Sequence, residues 1–288
     1  MKIYDCFPFY NELDLLELRL NELYHSVDHF VIVESNTTYT SLPKPFYFDE
    51  NRDRYAKFMD KIIHVKVEDM PRDANAWNNE IFQRNQILRG IKDSDPTDLI
   101  LISDLDEIIR PAAIDYMRAS TNNLFALRMT LYSFKLNYMR TNPDRYGIWG
   151  MATRRSLLNE IEIDALRALR FNFTEAPYQY AQADIEVIEH GGWHFGYQGN
   201  KEWLIDKARS FSHQEVNTPE FLNQIDPESS ISKRTSWKQD SDDQYEIVIL
   251  DSYFPKTVLD NPQKYQDQIL SDAKVKSIDL LPPYPYNT

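Results

Sequence analysis

A run of aliphatic residues, Leu99-Ile100-Leu101-Ile102, ends in Ser103 and then in Asp104 and Asp106, spaced i, i+2, with Glu107 directly after. A continuous apolar run of this length suits a strand buried on both faces of a parallel sheet. In open α/β sheets ligands sit in the crevice beyond the carboxyl ends of the strands, which is where Asp104 and Asp106 fall. Two carboxylates this close repel each other unless a cation lies beside them. Hard oxygen donors suit Mg²⁺ or Mn²⁺, ions that keep several waters and take phosphate oxygens from a substrate. One reading is a metal–nucleotide site of the DxD kind. The other is an acidic turn in which Asp106 or Glu107 caps a helix begun by Pro111.

Strand and helix signals alternate through the first half. Ile3 to Phe7, His29 to Glu34 and Lys61 to Val67 read as strands, and Glu12 to Tyr24 and Asn79 to Ile91 as helices. This alternation implies a mostly parallel central sheet, α/β in class, with helices on both faces. Leu124 to Lys135 adds a strand beside the main sheet, Asp184 to Glu189 a short strand, and Ser156 to Arg170 and Lys201 to Phe211 helices. The polar stretch Asp226 to Asp243 reads as a loop or flap, and the Pro-rich end after Leu280 as extended chain. Residues 1–250 are expected to form one domain, with 251–288 a C-terminal extension packed on it.

At 288 residues the chain can bury a sizeable core, and 42% hydrophobic and 13% aromatic residues mark it as globular. A net charge of −13 argues against nucleic acid as a partner. The same charge repels phosphate, so a phosphate site here needs a cation or local arginines. The lone cysteine, Cys6, rules out an internal disulfide or a Cys-based zinc site. With no signal-peptide pattern and no apolar run long enough to span a bilayer, the expectation is a soluble cytoplasmic protein, peripheral to the membrane at most through its acceptor.

By parallel topology, Phe7 to Glu12 and Glu34 to Thr38 lie on the same rim as the acidic pair. Phe7, Asn11, Glu12, Glu34 and Asn36 are thereby candidates to hold a nucleobase and ribose. For Asn11 a helix N-cap is the competing role, and for Glu34 and Asn36 turn chemistry. Arg84, on the helix before the acidic strand, could bind a diphosphate bidentately or pair with a surface acid. His190-Gly191-Gly192-Trp193-His194-Phe195-Gly196 holds three of the chain's seven glycines. The cluster suggests a turn where backbone approaches a ligand, with His194 completing a metal shell or serving the core. His213 is a further candidate contact or a helix C-terminal histidine. No phosphate-binding Gly loop, GxSxG elbow or HExxH pair occurs, which disfavours P-loop enzymes, α/β-hydrolases and zincins.

The ordered set Asp5-Cys6-Phe7-Pro8-Phe9-Tyr10-Asn11-Glu12 through Leu20, Phe30 to Asn36, Gln83-Arg84-Asn85, Ser103 to Ile108 and Gly191 to Phe195 resembles glycosyltransferase family 17. The resemblance implies a GT-A fold and inverting transfer from a nucleotide sugar, UDP-N-acetylglucosamine being the family's donor. It implies that Asp104 and Asp106 hold Mn²⁺ (or Mg²⁺) against the donor diphosphate, with His194 a further ligand. Animal members carry an N-terminal membrane anchor for which this sequence shows no apolar run. The expected acceptor is therefore a polysaccharide, another glycan or a lipid-linked oligosaccharide.

Such chemistry needs a carboxylate to take the acceptor proton. Glu107, Asp184, Glu186 and Glu189 are candidates, with Asp184 and Glu189 favoured because they precede the Gly-Trp-His segment. Two rival functions use the same residues differently. A metal-dependent phosphohydrolase would use water in place of an acceptor, and a non-catalytic carbohydrate-binding protein would use only the aromatics.

Overall fold

The aliphatic runs become β1 (Ile3–Phe9), β2 (His29–Ser35), β3 (Ile62–Val67) and β4 (Leu99–Ile102), parallel and ordered β3-β2-β1-β4. The computed structural model describes residues 1–142, 146–159, 162–171, 185–236 and 242–280. Side chains alternate between two cores, as the period of a strand requires. Ile3, Phe7, Phe30, Ile32, Leu99 and Leu101 face the helix Leu13–Leu23, which contributes Leu16, Leu20 and Leu23. Tyr4, Cys6, Val31, Val33, Ile100 and Ile102 face the other way, toward Ile87 and Ile91. A strand covered on both faces favours apolar side chains throughout, and β4 reads as unbroken aliphatic sequence, whereas β1 admits Asp5 because Arg19 pairs with it.

Beyond β4 the parallel expectation gives way to a mixed sheet. β5 is Glu107–Ile109, β6 Leu124–Ser133, β7 Tyr138–Arg140, β8 Tyr146–Arg154, β9 Ile185–Gly196, β10 Tyr245–Ile249 and β11 Val275–Lys276. β8 runs antiparallel between β4 and β6, so Leu124–Ser133 lies within the sheet and not beside it. β9 is parallel to β6 and antiparallel to β5, pairing His194 with Glu107. Beyond residue 250, Tyr253, Phe254, Val258 and Tyr265 join the same core as β1 and β4.

The glycine-rich segment is corrected from a turn to a strand. His190 to Gly196 is the second half of β9. A Cβ on Gly192 would sit 2.4 Å from the Ile108 carbonyl oxygen, and one on Gly191 3.0 Å from Leu127. These glycines let β9 approach its neighbours closely. His190 takes a left-handed φ of 52°, beside the register shift opposite Leu127 and Met129, a β-bulge.

Other boundaries shift for local reasons. The helix expected from Asn79 begins at Ala76, where the Asn75 side chain accepts the Trp77 N–H at 3.1 Å. Pro111–Ala119 is a helix with Arg110 at its N-cap and no side-chain cap, so neither Asp106 nor Glu107 caps it. Ser156 to Arg170 breaks into a 3-10 turn, Arg155–Asn159, and the helix Ile163–Ala168. The polar stretch from Asp226 contains the helix Pro227–Lys233. Residues 237–241 and 281–288 lie outside the described residues, and with them the expected extended end.

Candidate active site

Past β4 the chain turns at Asp104, Leu105 and Asp106 into β5, and the backbone of this turn is held from behind by Arg19. Arg19 Nη1 donates to the carbonyls of Asp104 (2.7 Å), Leu105 (3.1 Å) and Glu107 (3.2 Å). Its Nη2 reaches Ser103 Oγ at 2.7 Å, and Asp5 supplies the countercharge. Phe7 lies beneath the guanidinium, 4.2 Å from its ring centre, fully buried and outside the cavity lining. Arg19 stands on the helix face that buries leucines, so its periodicity alone marks it as core.

The two aspartates point to different partners. Asp104 Oδ2 lies 2.5 Å from Arg167 and Oδ1 3.2 Å from Arg84. Burial would raise this carboxyl, but Arg167, Arg84 and Arg170 outweigh it and hold it far below the usual carboxylate range. Asp106 Oδ1 is 3.7 Å from His194 Nε2, and Oδ2 is 3.7 Å from Lys207 Nζ. Burial raises Asp106 too, and His194 and Lys207 together bring it below its ordinary value. Glu107 is buried behind them. It accepts the Asp104 N–H at 2.7 Å and meets Arg167 at 2.9 Å, and burial leaves its pKa raised.

These residues open onto a cavity of about 250 Å³ at the carboxyl ends of β1, β2 and β4. Glu12, Arg84, Asp104, Asp106 and His194 line it, as do Lys44, Arg170, Lys207 and His213. Lys207 Nζ sits 3.7 Å from Glu12 as well as from Asp106. Burial disfavours its charge, yet Asp106 and Glu12 keep its pKa raised. For Arg170, burial and the neighbouring Arg167 lower the pKa. An anion entering here would relieve that repulsion.

Other candidates lie behind or away from the cavity. Glu34 is fully buried, accepting the Phe48 N–H and meeting His64 at 3.0 Å and Lys44 at 3.4 Å. Asn11 accepts from Trp203 Nε1 at 3.2 Å and does not cap the first helix, whose N-cap is Glu12. The Asn36 amide oxygen is buried with no hydrogen-bond partner among the described residues. Glu189 pairs with Arg128 at 3.0 Å, and Glu186 accepts from Tyr116, Ser120 and Asn122; neither lines the cavity. Asp184 lies outside the described residues. Arg167 and Lys207 carry no sequence signal, because each gains its role only when a distant helix folds against the acidic turn.

The residues suit a hard divalent cation. Asp106, Glu107 and His194 each offer an atom, all within 4.8 Å of one another, and His194 Nδ1 is buried without a hydrogen-bond partner among the described residues. Asp104 is not in this group, since its oxygens face Arg84 and Arg167.

An α/β sheet with two carboxylates past a buried strand, faced by guanidinium, ammonium and imidazole groups, defines a domain with a cation- and anion-ready cleft. Residues 1–148 match the model of glycosyltransferase family 17, and the chain belongs to that family. The Homo sapiens β-1,4-mannosyl-glycoprotein 4-β-N-acetylglucosaminyltransferase is 26% identical over 223 residues, 69% of this chain and 41% of the human protein. The Rattus norvegicus protein of the same name is 25% identical with the same coverage. The chain thus spans about two-fifths of the length of these relatives. Among solved structures, the mannosyltransferase PcManGT of Pyrobaculum calidifontis, in complex with GDP-Man and Mn²⁺, gives a TM-score of 0.40 at 12% identity, covering 73% of this chain and 61% of that one.

Proposed function

We propose that this chain is a metal-dependent inverting glycosyltransferase of GT-A architecture, moving N-acetylglucosamine from UDP-N-acetylglucosamine to a hydroxyl of a glycan, polysaccharide or lipid-linked oligosaccharide. The observation that carries the reading is the division of labour in the acidic turn. Asp104 is paired with two arginines at 2.5 and 3.2 Å, whereas Asp106 has His194 and Lys207 only at 3.7 Å, which leaves its oxygens open to a cation. Asp106 and His194 would hold Mn²⁺ or Mg²⁺, with Glu107 behind them, and the bound ion would neutralise charge on the departing diphosphate.

The chain's own groups supply the rest. Arg84, Arg170 and Lys207 line the cavity beside Asp106 and would hold the diphosphate oxygens, Arg through its fork and Lys as a point charge. The acceptor oxygen bonds to the anomeric carbon as the bond from that carbon to the phosphate oxygen breaks on the opposite face. The hydroxyl proton passes to a carboxylate and UDP leaves. We assign the base to neither favoured carboxylate: Glu189 is paired with Arg128 outside the cavity, and Asp184 directly precedes Ile185, which pairs with Leu124 at the opposite end of β9 from His194. No helix among the described residues is long and apolar enough to cross a membrane. A buried free thiol at Cys6 suits a reducing compartment, and we place the reaction in the cytoplasm.

The test is thermal unfolding with UDP, with Mn²⁺ and with both, followed by a donor screen that reads UDP release with and without oligosaccharide. Stabilisation that needs both ligands, and acceptor-stimulated release from UDP-N-acetylglucosamine, are expected. Release that ignores acceptor would replace the reading with nucleotide-sugar hydrolysis.

A further inference from the structure

The mouth of the cavity carries an aromatic surface that the chemistry above does not use. Trp77, Glu80 and Arg84 fall on one face of the helix Ala76–Asn85, and all three line the cavity. Arg84 touches Asp104 at the inner end. Seven residues of helix rise put Trp77 about 10 Å further out. Trp77 is 42% exposed, a large apolar surface at the rim. His213 meets its ring in a T-shaped contact, with centres 4.6 Å apart, and Phe211 in turn meets His213 at 5.4 Å. The Trp77 indole N–H makes no hydrogen bond with any described residue.

A tryptophan 42% exposed at a cavity mouth, in T-shaped contact with one histidine, offers aromatic surface and an indole donor to a ligand. Thr38, Ser210 and Ser212 line the same cavity. Among the described residues no Lys or Arg stands over the Trp77 ring, whereas Arg84 and Lys207 face the acidic turn. An exposed aromatic ring with an indole donor, in a cavity that also carries hydroxyl side chains, matches a neutral pyranose, whose C–H face is apolar and whose equatorial hydroxyls accept and donate.

We propose that Trp77, braced by His213, is the platform for a neutral sugar ring of the acceptor, one that lies beyond the ring bearing the reacting hydroxyl. The inference rests on the transferase reading for its choice of occupant. It predicts that the acceptor is at least a disaccharide, and that single sugars bind far more weakly than extended ones.

The experiment uses the full chain and saturation-transfer NMR with three neutral probes, chitobiose, mannobiose and lactose, in the presence of UDP and Mn²⁺. Wild type is expected to bind at least one of them, W77A to weaken that binding about tenfold or more, and W77F to retain most of it. The thermal shift with UDP and Mn²⁺ should be unchanged in W77A, which also reports that the variant is folded. Three results overturn the proposal: none of the probes binds wild type that does bind UDP, W77A binds the probes as well as wild type, or W77A loses the UDP shift. The last would make the platform a nucleobase site. If wild type shows no UDP shift but binds a disaccharide through Trp77, the platform stands and the transferase reading fails.

Discussion

Arg19 and Asp5 meet through two parallel hydrogen bonds, Nε to Oδ2 at 2.8 Å and Nη2 to Oδ1 at 2.5 Å, with neither side chain exposed. The pair sits under the acidic turn, and the remaining donors of Arg19 hold that turn by its carbonyls. A buried ion pair is weak evidence for stability, but breaking one partner strands a charge. R19A should therefore lose about 3–5 kcal/mol in urea unfolding. R19K keeps the charge without the fork and should fall between R19A and wild type. Wild-type stability in R19A would show that the turn is held by other means.

Asp104 and Asp106 should separate functionally. D106N is expected to abolish the joint stabilisation by UDP and Mn²⁺, about 2.7 kcal/mol for a ligand at 100 times its dissociation constant. It should lower the unliganded melting temperature only modestly, since His194 and Lys207 stand at 3.7 Å and no direct hydrogen bond to them is lost. D104N should lower the unliganded melting temperature as well, because it strips a partner from buried Arg84 and Arg167. Calorimetry on both variants, with and without ligands, decides the matter; equal behaviour would undo the assignment of distinct roles.

The acid limb of stability follows from the same groups. Asp104 and Asp106 have lowered folded pKa values, so each binds its proton more weakly folded than unfolded. They add stability above the unfolded value of about 3.9, and this is lost as pH falls toward their folded values. Glu107, raised by burial, acts oppositely: it favours the fold below about 4.3 and loses that contribution as pH rises through its folded value. Urea unfolding across the acid range should show stability falling below about pH 4. D104N should flatten that fall, and an unchanged slope would assign acid lability elsewhere.

Gly192 should resist even a methyl group. Its added Cβ would meet the Ile108 carbonyl oxygen at 2.4 Å, a backbone atom that no rotamer change can move. G192A is expected to cost about 1–3 kcal/mol in denaturant unfolding, as overpacking does. It should also weaken Mn²⁺ binding, because β9 carries His194 against β5. A fully stable G192A would mean that the two strands separate at no cost.

Cys6 is fully buried, and burial first, then the neighbouring Asp5, pushes its thiol pKa well up. A disulfide-exchange reagent should find it inert in the native protein and reactive in strong guanidinium chloride. Prompt reaction under native conditions would place Cys6 in a region that opens readily.

Local sequence pattern carries the first half of this fold. The strands β1 to β4 and the helix Leu13–Leu23 follow from short-range periodicity, because a buried strand is mostly apolar on both faces and a core helix on one stripe. The acidic pair at the end of Leu99–Ile102 is legible for the same reason: polar residues right after such a run mark a sheet edge. Tertiary structure alone decides which carboxylate does what. Arg19, Arg167 and Lys207 reach the turn from distant helices, so their pairing depends on long-range packing that no local spacing encodes. The glycines of β9 show the same limit. A small residue reads as a turn when seen alone, and only the position of the Ile108 carbonyl reveals that it marks close contact between strands.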